Sequence, residues 1–170
     1  MDVALRNVVV PGRPEQVWAV LADGWAYSDW VIGTRQILDV DDDWPGEGSS
    51  LRFEAGVGPV TVRDRTFVRI SEPPGRLELE ARALPVGTLR ISIEVMPWGD
   101  EALVVIDEHP LRGPSLLMEN PLVEGILTLR NRRMVRKLAQ LVERRARGDL
   151  KGEAPAAPSP PGRQQPATAG

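Results

Sequence analysis

The chain has no cysteine and a single histidine, His109. The first absence excludes a disulfide framework, a thiolate nucleophile and cysteine-held zinc or iron–sulfur centres, and the second excludes a multi-histidine metal site. No metal is expected. Aromatic residues other than tryptophan are scarce, with two Phe and one Tyr beside five Trp. No apolar run approaches the roughly 18 residues of a membrane span, and the opening MDVALRNVVV has no basic segment followed by a long apolar one. A cytoplasmic protein with no membrane span is the expectation.

What is present suits one folded domain: 170 residues, 42% of them hydrophobic, are enough for one core and too few for two comfortable ones. The net charge of −3 conceals an asymmetry. Residues 121–147 hold eight basic residues against Glu124 and Glu143, a balance of +6 that leaves the remainder at −9. A basic amphipathic helix suits a nucleic acid or an anionic membrane, but the acidic body is the nearer counter-charge. Intramolecular complementarity is therefore expected, and no nucleic-acid partner.

Along the chain, Ala4–Val10 is β-branched and ends at Pro11-Gly12, which marks a strand. Pro14 suits the first turn of a helix that buries Val17, Val20 and Leu21 and stops at Gly24; residues 25–30 add a second short helix. From Arg35 the period becomes two. Ile37, Leu38 and Val40 precede an acidic turn at Asp41–Gly46, and Leu51, Phe53 and Ala55 follow it. Val60, Val62, Asp64, Thr66, Val68 and Ile70 then share an inner face opposite Arg63, Arg65, Phe67 and Arg69. Leu77, Leu79, Ala81 and Ala83 alternate after Pro73-Pro74-Gly75; Leu89, Ile91, Ile93 and Val95 do so before Trp98-Gly99-Asp100; Glu101–His109 closes the set. Seven strands joined by short turns imply a meander. Pro110–Asn120 reads as a connector. Pro121–Arg147, a rod of roughly 40 Å, ends in arginines and Gly148 as helices do. A domain over residues 1–148 and a disordered Pro/Ala-rich tail over 149–170 are expected.

Three segments carry a family likeness: VPGRPEQVWAVLADGWAYSDWV, EPPGRLELEAR, and EHPLRGP leading into NPLVEGILTLRNRRMVRKLAQL. With the order strand, two short helices, six strands and a long helix, they resemble the START-like (SRPBCC) superfamily, in its bacterial polyketide cyclase/dehydrase and lipid transport branch. The resemblance spans roughly residues 1 to 147. It implies the α+β helix-grip fold, a curved antiparallel sheet around the long helix with an internal cavity between them. It implies no shared catalytic motif, and fold alone does not dictate function.

Other motifs fail on inspection. Asp39, Asp41 and Asp43 imitate a calcium loop, but Trp44 stands where that loop needs glycine and Ser50 where it needs the bidentate glutamate. Gly46-Glu47-Gly48 and Gly56-Val57-Gly58 lack the third glycine of a dinucleotide loop and read as hairpin turns. Gly113-Pro114-Ser115 lacks the second glycine of a nucleophile elbow. No cofactor is expected. His109 shares the convex face with Leu103, Val105 and Asp107 and reads as a rim histidine.

Inward polar residues are more informative. Asp64 and Glu108 fall on the core face, where an ionised carboxylate needs a partner, water or a raised pKa. At 100° per residue Arg130 falls in the apolar stripe between Ile126 and Val123. Either Arg130 reaches inward to Asp64 or Glu108, or it extends to the rim and Asp64 pairs with a surface Arg. Trp25, Tyr27, Trp30, Phe53 and Trp98 are expected to pack helix against sheet, with Trp30 and Phe53 alternatively lining a pocket. Val62, Leu79, Ile91, Ile93 and Ile126 complete the candidate lining. In the long helix, Leu122, Ile126 and Leu129 lie about half a turn from Leu138 and Val142, so its first half is expected over the pocket and its second over the core. The expected function is binding a small hydrophobic ligand: a lipid, polyketide or aromatic metabolite. A cyclase or dehydratase using an inward carboxylate, and an interaction module without a ligand, are the alternatives.

Overall fold

The computed structural model describes residues 6–83, 87–112 and 121–148. The expectations for the tail over 149–170, for Val123 and Ile126 as lining side chains, and for Pro114 and Ser115 lie outside what is described. The elements run β1 (Arg6–Val10), α1 (Pro14–Leu21), a 3-10 turn (Gly24–Ala26), α2 (Tyr27–Trp30), β2 (Thr34–Val40), β3 (Ser50–Val57), β4 (Val60–Glu72), β5 (Arg76–Ala83), β6 (Gly87–Trp98), β7 (Glu101–Arg112) and α3 (Pro121–Ala146). All seven strands form one antiparallel sheet in the order β1-β7-β6-β5-β4-β3-β2. This is the expected helix-grip α+β fold. Only β2 to β7 meander, however. β1 and β2 sit at opposite edges, so the segment carrying α1 and α2 crosses from one edge of the sheet to the other.

Local chemistry sets the ends of these elements. Pro14 opens α1, and Gln16 Oε1 accepts the Arg13 backbone N–H at 2.8 Å. Asp23 serves two elements. Its Oδ1 accepts the N–H groups of Trp25 and Ala26, fixing the 3-10 turn, while its Oδ2 takes Arg145 of α3 at 2.5 Å. A Cβ on Gly24 would lie 2.6 Å from Val40 Cγ1, so only glycine lets the turn rest on β2.

Three expectations need correction. Gly56 is not a turn residue but a strand position whose Cβ would meet the Val60 carbonyl oxygen at 2.2 Å; the tight turn is taken by Gly58 at φ 60°. Ile70 is not on the inner face. The register slips between Val68 and Ile70, placing Ser71 opposite the core residue Leu77, because one extra residue in a strand exchanges its faces. Pro110 belongs to β7 and not to a connector; it pairs with Leu89 beside a register shift, where a residue without an N–H is accommodated.

The core runs from Val17, Val20 and Leu21 of α1 through Leu77, Leu79, Ile93, Val104 and Ile106 of the sheet to Met134, Val135, Leu138, Leu141 and Val142 of α3. Each such side chain contributes about 1.5–3 kcal/mol on full burial. Trp44, in the acidic turn, is buried and donates its Nε1–H to the Leu21 carbonyl at 3.3 Å, tying that turn to α1. Among the described residues no helix is long and apolar enough to cross a membrane.

Candidate functional site

The sheet register builds one row across the inner face: Val68 pairs with Leu79, Leu79 with Ile91 and Ile91 with Glu108. The first three are buried and apolar. The row therefore delivers a carboxylate into the interior at β7, with a side chain only 7% exposed.

α3 meets it from the opposite side. Asn131 is buried on the stripe that includes Met134, Val135 and Leu138, and its Nδ2 donates to Glu108 Oε2 at 3.0 Å. Arg130, one residue earlier, donates Nε–H to the Ile32 carbonyl beyond α2 at 3.0 Å and brings a terminal nitrogen to 3.9 Å from Glu108 Oε1. That last distance gives attraction but no hydrogen bond. Glu108 Oε1 and Asn131 Oδ1 consequently remain buried acceptors without a donor, and the Trp30 indole N–H is a buried donor without an acceptor. Such unmet groups cost about 1–3 kcal/mol each in a folded interior, where most buried polar atoms are paired.

Tyr27 completes the surroundings. Its ring meets Trp30 edge-on at 5.0 Å and Trp44 at 6.3 Å. Burial pushes its phenol well above the usual tyrosine range; the Arg130 charge draws it part of the way back and Glu108 raises it again. The phenol is therefore a neutral polar group at all ordinary pH values.

Placed against the sequence expectations, Trp30, Leu79, Ile91, Ile93 and Glu108 are interior residues, and Phe53 is 9% exposed. Arg130 reaches Glu108 and not Asp64. Asp64 lies three strands away from β7 and two side-chain rows along β4 from Val68, a separation well over 10 Å at ~4.8 Å per strand. It is half-buried, and its Oδ1 accepts the Arg65 backbone N–H instead of a surface arginine side chain. Val62 is likewise only half-buried. Alternation assigns a residue to a face but carries no information on its distance from another strand. Trp25 and Trp98, the other tryptophans expected to pack helix against sheet, are instead on the surface.

Asn131 was not singled out by sequence. The signal for Asn131 was present, since it precedes Met134, Val135 and Leu138 by three, four and seven residues. Tyr27, among the aromatics expected to pack helix against sheet, is buried. His109 is on the convex face as expected, its Nε2 2.7 Å from Asp107 Oδ2.

The sequence profile of the family described as polyketide cyclase/dehydrase and lipid transport matches residues 4–143. The chain belongs to this family. Its fold is that of the START-like superfamily. The Zhui aromatase/cyclase from Streptomyces superimposes with a TM-score of 0.65 at 16% identity, covering 85% of this chain and 95% of that one. The di-domain aromatase/cyclase StfQ from the steffimycin biosynthetic pathway gives 0.67 at 10% identity over 84% of this chain and half of its own. Ara h 8.0201 gives 0.64 at 10% identity, over 82% and 95% of the two chains. At these identities the likeness concerns the fold. No curated protein matches the chain significantly.

Proposed function

We propose that this family member binds a small hydrophobic molecule, a lipid, polyketide or aromatic metabolite, between the inner face of the sheet and the first half of α3. The observation that carries the reading is the Glu108–Asn131–Arg130 cluster at the end of an apolar row, with unmet hydrogen-bonding atoms on Glu108, Asn131 and Trp30. A protein optimised only for packing would have apolar side chains there. A few oriented polar groups inside an apolar enclosure are what fix a greasy ligand in one orientation. Ile91 and Leu79 beside Glu108 supply the apolar wall, and Trp30, Phe53, Val62 and Ile93 extend it.

A second reading keeps the same site and adds chemistry. Glu108 would act as the acid or base of a cyclisation or dehydration, with Arg130 holding a substrate oxygen. Glu108 favours this role over Asp64 because it is the carboxylate enclosed with a cation and a phenol around it. Native mass spectrometry of protein purified from its own host tests the binding reading. A co-purifying mass lost in Arg130→Met is the expected result, and a bare chain under all loading conditions would count against it. Turnover of a bound poly-β-ketone that Glu108→Gln abolishes without releasing the ligand would select the enzymatic reading.

A further inference from the structure

The outer face of α3 is a separate feature. Arg132, Arg133, Arg136, Lys137 and Arg144 are all exposed there. Of the cations in residues 121–147, those that meet a carboxylate are Arg130, Arg145 and Arg147, with Glu108, Asp23 and Glu143 respectively. The five others have no such partner among the described residues. The expected neutralisation by the acidic body is therefore confined to the flanks of the helix. Arg132 with Arg136, and Arg133 with Lys137, stand one turn apart, a like-charge spacing that weakens a helix in isolation. The chain holds 24 acidic residues, and among the described residues none pairs with these five cations.

Arg132 and Arg136 also frame a cleft of about 250 Å³, closed by Asn7 and Val8 of β1 and floored by the buried Val135. We propose that this face docks on an anionic phospholipid bilayer, the cleft taking a lipid phosphate between Arg132 and Arg136. Guanidinium groups suit phosphate oxygens, the Asn7 amide is a further donor at the cleft wall, and the valines below suit the apolar part of an amphiphile. The five cations span about 18 Å along a straight helix, which matches a flat charged surface. No aromatic side chain lies among them to stack on bases, which separates this face from a single-strand nucleic-acid groove. The +6 of residues 121–147 against −9 elsewhere turns α3 toward a negative surface. The proposal holds whether or not the interior carries a ligand.

Vesicle flotation with the full chain tests it, using phosphatidylcholine alone and phosphatidylcholine mixed with phosphatidylglycerol. Binding to the mixed vesicles only is expected, and its loss near 1 M salt, where charges are screened beyond about 3 Å. The double variant Arg132→Gln/Arg136→Gln should bind roughly 30-fold more weakly, at the usual gain per cation near an anionic surface. Arg52→Gln, on the sheet, should bind as the parent does. Equal binding to both vesicle types, no binding to either, or an unaffected double variant with parental thermal stability would overturn the proposal. So would tighter binding to duplex DNA than to vesicles, or displacement from vesicles by inorganic phosphate alone, which would make the cleft a site for the free anion.

Discussion

From Met134 to Val142, α3 meets the sheet and α1 as a sealed surface, whereas one turn earlier, at Arg130 and Asn131, the same helix presents polar groups whose hydrogen bonds are incomplete. The second stretch is anchored at its end by Arg145 on Asp23 and packs Val142 against Gly12 so closely that a Cβ there would approach to 2.9 Å. The first stretch is held by the Ile32 carbonyl and by one hydrogen bond to Glu108. The difference separates two uses of one helix. Apolar burial at the sealed end supplies stability, and the polar end retains unsatisfied groups at a cost that packing alone does not explain.

Leu138→Ala should break the comparison at its stable end. Leu138 is fully buried, and the substitution should cost about 2–5 kcal/mol in urea unfolding. A loss below about 1 kcal/mol would mean that the end is not sealed. Next in size, Asn131→Leu leaves Glu108 Oε2 without its donor and should cost about 1–3 kcal/mol. Adding Glu108→Leu should recover much of that loss, because removing both partners of a buried polar pair is cheaper than removing one. A double variant no more stable than the single one would show that the cluster stabilises the fold.

Tyr27→Phe probes the same end by pH. A phenol whose pKa is raised on folding contributes stability that is fully present below its unfolded value near 10.0 and is lost as pH rises above it. The parent should therefore lose stability relative to Tyr27→Phe between neutral pH and pH 11, the variant being the less sensitive to alkali. Parallel pH profiles would refute that. The smallest effect belongs to the convex face: His109→Gln should change stability by no more than about 0.5 kcal/mol and leave any co-purified ligand in place.

The element order and most inner-face assignments were legible in the sequence because periods of two and 3.6 record which side of an element is buried. Arg130 was found in this way, and Asn131 beside it carried the same signal. The Ile70 assignment failed because a bulge changes the period without changing the residue types. Glu108 and Asp64 looked equivalent because both alternate inward, and only the pairing of four strands shows that Arg130 is near the first and far from the second.

The sequence by itself determined the elements, their buried faces and the excess of cations on the last helix, all of which follow from local spacing and composition. Tertiary structure decided which carboxylate meets Arg130, which arginines find partners, and that β1 and β2 lie at opposite edges. Those outcomes depend on distances between segments far apart in the chain, to which a linear pattern gives no measure.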